Sequence, residues 1–197
     1  MNYAELKNVI ADTLNRQDIS AVIPTFIKMA EAEIARKVRH WRQEKRVTLT
    51  LNEQFETLPG DWLETLKLYL DDGTNIIFSP VTEISKAKLS KATGKPTMYT
   101  INAGEIEFYP APSQDYNLTM VYRARVPELA NDTDTNWILN DYPDVYLYAA
   151  LAHSAPYLQD DDRLPVWLSL KNDAITSINS DSQAGKYSGT PLKMRIK

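Results

Sequence analysis

The spacing of apolar residues divides the chain into helical ends and a strand-like middle. Residues 3–14 place an apolar side chain at every third or fourth position, which is typical of a helix with one buried face. Residues 23–41 repeat this spacing and predict a longer second helix. Pro24 would lie in its first turn, where a missing amide hydrogen costs nothing. The N-terminal end is therefore expected to form two helices.

Between residues 46 and 126 the apolar period shortens to two, as in half-buried strands. Apolar residues alternate with threonines across residues 47–51 and recur at every second position in "LKLYL", residues 66–70. Asp72-Gly73 separates two strand-like runs and predicts a tight hairpin, and "MYTINAGEIEFYPAP", residues 98–112, predicts another. We expect about five or six antiparallel strands here, with one short helix across residues 82–92.

"LNDYPDVYLYAALAHSAPYL", residues 139–158, predicts a buried helix. Asp141 is expected to be the N-cap, with Pro143 and Asp144 in the first turn. Nearly every face beyond Asp144 is apolar or small, so other helices should surround this one. Pro156 should bend or end it. A last helix is predicted to follow, with Asp161 or Asp162 as its cap.

The order of these elements predicts an α+β fold in which both ends of the chain form one helical bundle. We expect residues 1–45 and 137–178 to form the bundle and residues 46–136 to form an inserted antiparallel β-rich region. Residues 179–197 carry four cations against one acid and are rich in Ser, Gly and Lys. They are expected to form a flexible, extended C-terminal arm.

Composition excludes several classes of protein. With 43% apolar and 24% charged residues the chain is ordinary globular material, and it lacks both a membrane-spanning run and a signal-peptide pattern. It should therefore stay in the compartment where it is made. A formal net charge of −4 argues against a protein whose entire surface holds nucleic acid.

No group of residues carries a catalytic signature. The chain has no cysteine and only two histidines, His40 and His153, which leaves little for a zinc site. The acids that could suggest a glycosidase, Asp141, Asp144 and Asp160–Asp162, are all explained as residues at helix starts. We expect no enzyme activity, no cofactor and no metal site.

A basic segment, "RKVRHWRQEKR" at residues 36–46, carries six cations, one histidine and one tryptophan. Such a segment could bind phosphates or an acidic protein surface, or it could be a solvated helix end. The alternative function for the whole chain is a nucleic-acid-binding module that uses Arg36 to Arg46, with Trp41 as a stacking residue.

Four segments together resemble the head-to-tail adaptor proteins of tailed bacteriophages, the neck or head-completion proteins of the tail tubular A and tail accessory factor group. In order, they are "VIPTFIKMAEAEIARKVRHW", "LPGDWLETLKLYLDDG", "GKPTMYTINAGEIEFYPAPSQDYNLTMVYRARVPEL" and "TNWILNDYPDVYLYAALAHSAPYLQDDDRLPVW". The resemblance covers roughly residues 20 to 178 and lies in the order and spacing of the segments.

The resemblance implies a structural virion protein of the neck, assembled in the host cytoplasm. It implies a ring of about twelve copies between the portal protein and a tail or nozzle protein. That ring would close the DNA-filled head, offer the tail attachment platform and let genomic DNA pass without sequence recognition. No membrane is involved.

The resemblance and the positions of charge together predict the portal or neck interface. The predicted interface residues come from the basic segment and the C-terminal arm: Arg36, Lys37, Arg39, Arg42, Lys45, Arg46, Tyr187, Leu192, Lys193, Met194, Arg195 and Ile196.

Overall fold

The computed structural model of the protein describes residues 1–159 and 162–187. The helices, in chain order, are α1 (Tyr3–Leu14), α2 (Ile23–Lys37), α3 (Val81–Ala87), α4 (Trp137–Asp141), α5 (Pro143–Leu158) and α6 (Leu164–Tyr187). The strands are β1 (Glu44–Leu51), β2 (Phe55–Thr57), β3 (Trp62–Leu70), β4 (Ile77–Phe78), β5 (Thr93–Gly94), β6 (Met98–Asn102), β7 (Glu105–Tyr109), β8 (Ala111–Pro112) and β9 (Tyr116–Ala124). This combination confirms the predicted α+β class.

The chain folds as two compact units. The helical unit consists of Met1–Trp41 and the chain from Val126 onward, and the β unit consists of Arg42–Arg125. Each unit has its own cluster of buried apolar side chains.

Helix α5 lies at the centre of the helical unit, where it packs against α1, α2, α4 and α6. Its buried residues, which occur on every side of the helix, are Val145, Tyr146, Ala149, Ala150, Leu151, Ala152, Ser154 and Ala155. The small side chains let the neighbouring helices approach closely. The prediction that other helices surround this segment is confirmed, and Pro156 lies two residues before the helix ends at Leu158.

The start of α5 differs from the prediction, because Asp141 is not its N-cap. Asp141 is the last residue of α4, which Asn136 caps by accepting a hydrogen bond from the Leu139 amide at 3.0 Å. The break follows at Tyr142, whose φ of −135° and ψ of 57° are not helical. Pro143 explains the break, because a proline disfavours the helical conformation of the residue before it.

The spacing of apolar residues predicted that α2 continues to Trp41, but the helix ends at Lys37. Side chains donate hydrogen bonds to the carbonyl groups at the end of the helix. The Arg39 guanidinium donates to the Ala35 and Val38 oxygens at 3.0 and 2.8 Å. The Asn179 amide donates to the Lys37 oxygen at 3.1 Å. These bonds satisfy carbonyls that a further helical turn would have satisfied.

Helix α6 also departs from the prediction, because it continues to Tyr187. Residues 179–187 are therefore helical instead of belonging to a flexible arm. Asn179 and Ser182 accept hydrogen bonds from backbone amides of the segment after α2. These contacts hold the polar residues 179–187 in place, and the composition of the stretch does not reveal them. The rest of the predicted arm, residues 188–197, lies outside the described part of the chain.

The β unit contains a three-stranded antiparallel sheet, in the order β1-β9-β3, and a four-stranded sheet, in the order β2-β7-β6-β4. A short pair, β5 and β8, forms a further sheet. Antiparallel pairing dominates as predicted, but β4 runs parallel to β6 and β5 runs parallel to β8. Both parallel pairs span only two residues, which is too short for a sequence period to reveal.

Both predicted hairpins are present. The Asp72-Gly73 turn returns the chain along β3, with Gly73 at a φ of 84° that favours glycine. The second turn, at Ala103-Gly104, joins β6 to β7.

The alternation predicted for residues 66–70 fails at Leu66. Strand β3 shifts register between Thr65 and Lys67, so Leu66 is the extra residue of a bulge and remains 40% exposed.

Candidate interaction surface

The structure divides the predicted basic interface between the two units. Arg36, Lys37 and Arg39 belong to the helical unit, whereas Arg42, Lys45 and Arg46 belong to the β unit.

Two of these cations are held by carboxylates. Lys37 Nζ lies 2.7 Å from Glu33 Oε1, and Lys45 Nζ lies 2.5 Å from Asp61 Oδ2. The Arg39 guanidinium bonds to backbone carbonyls at the end of α2. These contacts weaken the hypothesis of a nucleic-acid-binding module, since phosphate binding by Lys37, Arg39 or Lys45 would compete with existing partners.

The segment after α2 lies along the C-terminal part of α6. The Arg39 amide donates to Asn179 Oδ1 at 2.7 Å, and the Trp41 amide donates to Ser182 Oγ at 3.0 Å. At Gly185 a Cβ atom would stand 3.0 Å from Trp41 Nε1, so the absence of a side chain lets the indole approach the helix. Residues 179, 182 and 185 follow one face of α6 at a spacing of three. Residues 39–41 of the basic segment and the start of the predicted arm therefore meet in the helical unit.

An aromatic cluster also packs against this segment. The buried His40 ring lies 4.8 Å from the Trp137 ring and 5.4 Å from the Trp41 ring, between centroids. The Tyr142 ring packs edge-on against Trp137 at 6.2 Å. Trp41 is 45% exposed, with its remaining surface against His40 and α6. It is therefore a fixed residue at a surface rather than a free stacking side chain.

A buried ionic cluster joins α2, α5 and α6. The Glu33 carboxylate, which is 5% exposed, lies 2.9 Å from Lys171 Nζ, 2.7 Å from Lys37 Nζ and 3.0 Å from His153 Nε2. Burial alone would raise the pKa of Glu33, but the hydrogen bonds and charges of Lys37 and Lys171 outweigh it and lower the pKa to about 2. His153 is thus part of a packing network, as expected for a histidine without a nucleophile beside it.

In the β unit, the Asp61 side chain links β1 and β9. Its carboxylate accepts from Lys45 Nζ and, at 2.9 Å, from the Tyr122 hydroxyl. The hydrogen bond from Lys45 is the main reason that the pKa of Asp61 is lowered. Burial and the bond to Asp61 raise the pKa of Tyr122 to about 12. Lys45 therefore has a structural partner at the start of β1.

The described acids that could suggest catalysis lie at or near helix ends. Asp144 lies in the first turn of α5, and Asp141 ends α4. Asp160 and Asp161 lie outside the described residues. Within residues 1–159 and 162–187 no cluster of three His, Cys, Asp or Glu side chains could hold a metal ion.

Sequence reasoning missed the partnership of Glu33 and Lys171. A signal was present, because Lys171 follows Trp167 by four positions and precedes Ala174 by three, which places it on the inner stripe of α6. A lysine on an apolar stripe requires a buried anion, and Glu33 is that anion. The sequence does not indicate which acid supplies the charge.

The remaining predicted interface residues stand at the C-terminal end. Tyr187 is the last helical residue of α6. The other residues lie outside the described part of the chain: Leu192, Lys193, Met194, Arg195 and Ile196.

In the described part of the chain no helix is both long and apolar enough to cross a membrane.

Comparison with known proteins identifies the family to which the chain belongs. No curated protein matches the sequence. The model of the SU10 adaptor protein family matches residues 1–195, and the protein therefore belongs to this family of structural bacteriophage adaptors.

Proposed function

We propose that the protein forms a ring between the portal and the tail of a bacteriophage, where it closes the DNA-filled head and offers the attachment platform for the tail. The observation that carries this proposal is the family match, because it extends over the helical unit and the β unit alike. The adaptor role is therefore assigned to the whole chain rather than to one of its units. Membership of the family implies a structural virion component and a non-enzymatic role.

A ring subunit needs a rigid scaffold and surfaces that repeat by rotation, but it needs no chemistry. The densely packed α5 supports the first requirement, since side chains bury it on every face. We expect about twelve copies in the neck, assembled in the host cytoplasm on the portal protein and followed by a tail or nozzle protein.

Genomic DNA would pass through the ring without sequence recognition. The formal net charge of −4 supports this expectation, because a densely basic channel would retain the duplex by releasing its counterions.

The C-terminal residues are the proposed attachment to the portal. Removing residues 188–197 should abolish binding to the portal protein while the helical circular dichroism and thermal midpoint stay unchanged, because the described side chains of the helical unit's buried apolar cluster all precede residue 179. The double substitution Lys193→Glu and Arg195→Glu should weaken binding in the same direction if charge contributes. Binding that survives the truncation would contradict the proposed attachment.

Negative-stain microscopy of the protein mixed with its portal protein tests the function itself. We expect a monomer in isolation and ordered rings on portals. A stable monomer that neither binds the portal protein nor forms rings on it would overturn the proposed function.

A further inference from the structure

The four-stranded sheet of the β unit has two exposed edges, β2 and β4. Apolar side chains occupy both: Phe55 on β2 is 47% exposed, and Ile77 and Phe78 on β4 are 67% and 56% exposed. Edge strands are templates for pairing with another chain, and proteins usually protect them with charges. Residues 74–82, which contain β4, include no charged residue at all. No charge therefore protects this edge, although its strand is short and Pro80 follows it.

Strand β4 pairs with β6 on one side, and on the other side the described pairing of this stretch with β3 ends at Ile76. Ile76 donates its amide to Leu68 of β3, but within the described residues the pairing of β3 with this strand does not extend to Phe78. Ile77 and Ser79 donate toward β6 instead, to Thr97 and Tyr99. Because alternate residues of a strand point their backbone groups to opposite sides, the amide and carbonyl of Phe78 face away from β6.

The backbone at β2 shows the matching pattern. Phe108 of β7 donates to Gln54, and Leu58 donates to Gly104, so the even-numbered residues 54 to 58 face β7. The amides and carbonyls of Phe55 and Thr57 therefore point away from the sheet. Strand β2 is antiparallel to β7, β7 is antiparallel to β6, and β6 is parallel to β4. The two edge strands consequently run in the same direction.

We propose that copies of this protein associate through these two edges, with β4 of one copy pairing in parallel with β2 of the next. The alternating direction of the backbone amides and carbonyls along each strand fixes the register of the pair. The Phe78 amide would donate to the Phe55 carbonyl, and the Thr57 amide would donate to the Phe78 carbonyl, so that Phe78 stands opposite Glu56. Ile77 then stands opposite Phe55, and Ser79 opposite Thr57.

The side chains agree with this register independently of the backbone. Cross-strand partners share a face of the sheet, and the pairs Phe55 with Glu107, Thr100 with Glu107, and Met98 with Ile77 place Phe55 and Ile77 on the same face. The pairing would thus bring two exposed apolar side chains together across the contact. Lys88, whose Nζ lies 5.5 Å from the centre of the Phe55 ring, covers part of that ring in the single chain.

The contact joins two different surfaces of one chain, so each copy can hold a neighbour on either side. Heterologous contacts of this kind produce rings when the rotation between copies closes. The inference rests on the self-association that the proposed function requires and names the surface that carries it. The strands are short, so pairs in solution should be transient, and covalent trapping is the suitable measurement.

Disulfide trapping tests the register directly, because the natural chain has no cysteine. Thr57→Cys and Ser79→Cys are the two positions, since they face each other in the proposed pair and leave the three apolar edge residues intact. A concentrated chain with both substitutions should give a ladder of covalent multimers under mild oxidation. A mixture of the two single variants should give a covalent dimer and nothing larger, and each single variant alone should remain a monomer.

The results for these variants distinguish the proposed contact from the alternatives. Absence of a ladder from the double variant overturns the inference, and efficient dimerisation of one single variant alone overturns it in favour of a symmetric contact. Adding Phe78→Glu to the double variant should remove the ladder with unchanged circular dichroism, because it places a second acid opposite Glu56 across the contact. The matched control, Val166→Glu, replaces an equally exposed apolar residue of α6 and should leave the ladder intact.

Failure of this inference is separable from failure of the proposed function. If the reduced double variant forms rings on portals by microscopy but gives no ladder on oxidation there, the sheet edges are not the contact and the adaptor function stands. If neither rings nor a ladder form, both fail.

Discussion

Glu33 is the residue on which the polar interior of the helical unit depends. Its carboxylate contacts Lys171, and both side chains are less than a tenth exposed. Glu33→Gln removes the charge and leaves the Lys171 ammonium buried without an anion, so the free energy of unfolding should fall by about 3 to 5 kcal/mol. Urea unfolding near neutral pH measures this.

The matched control is an exposed pair of the same residue types. Glu83 lies 3.1 Å from Lys86 on α3, with the two side chains 56% and 73% exposed. Glu83→Gln should change stability by less than about 0.5 kcal/mol. Equal losses for the two variants would show that burial does not set the cost.

The pH dependence of stability follows from the same carboxylate. The pKa of Glu33 is about 2 in the folded protein, which lies below its ordinary value of 4.5. A depressed pKa stabilises the fold above the unfolded pKa, and this contribution of about 3 kcal/mol is lost as the pH falls from 4.5 through 2.

The stability difference between the natural protein and Glu33→Gln should therefore narrow over that pH range. Urea titrations of both proteins at a series of acidic pH values measure the gap. A gap that stays constant down to the lowest pH would contradict a charged Glu33 as the source of the stability.

At the scale of elements, the contact between α6 and the segment after α2 depends on Asn179. Its side chain accepts from the Arg39 amide and donates to the Lys37 carbonyl. Asn179→Ala removes both bonds and should lower the free energy of unfolding by about 1 to 2 kcal/mol relative to Asn172→Ala. Asn172 is the control because it is exposed on the same helix, where the change to alanine gains the same helix propensity.

Hydrogen exchange locates the effect of that substitution. The Arg39 amide should exchange faster in Asn179→Ala and at the natural rate in Asn172→Ala. Equal behaviour of the two variants would show that α6 does not hold this segment through Asn179.

Elements with a clear apolar period were predictable from the sequence, and their ends were not. Helix α5 and both hairpins follow from local spacing and turn residues. The end of α2, by contrast, depends on Asn179, which lies far along the chain. The segment before α5 forms the separate short helix α4, which Asn136 caps, and α5 begins only at Pro143. The polar residues 179–187 look flexible because their partners come from another part of the sequence.

The candidate surface was predictable only as a set of charges. The cationic side chains of residues 36–46 are visible in the sequence, but their partners are not. Glu33 and Asp61 hold two of them, and the end of α2 holds Arg39. Long-range contacts decide which cations are occupied, and a single sequence does not contain that pairing.

At the scale of the whole molecule, the chain leaves the helical unit and returns to it at neighbouring points of the β unit. Glu44 and Arg123 are the first cross-strand partners of β1 and β9, and partners of this kind stand about 5 Å apart. We therefore expect that a short Gly-Ser linker from Trp41 to Val126 can replace Arg42–Arg125. Because the buried apolar cluster of the helical unit draws on no residue of that range, the shortened protein should be soluble, helical and cooperative in thermal unfolding.

Circular dichroism during heating measures this, and a second substitution guards the interpretation. Val145 is fully buried in α5, so Val145→Asp in the shortened chain should remove the cooperative transition if the transition reports the native core. A shortened chain that melts without cooperativity would show that the helical core needs the β unit, and the two units would then be one folding unit rather than a scaffold with an insertion.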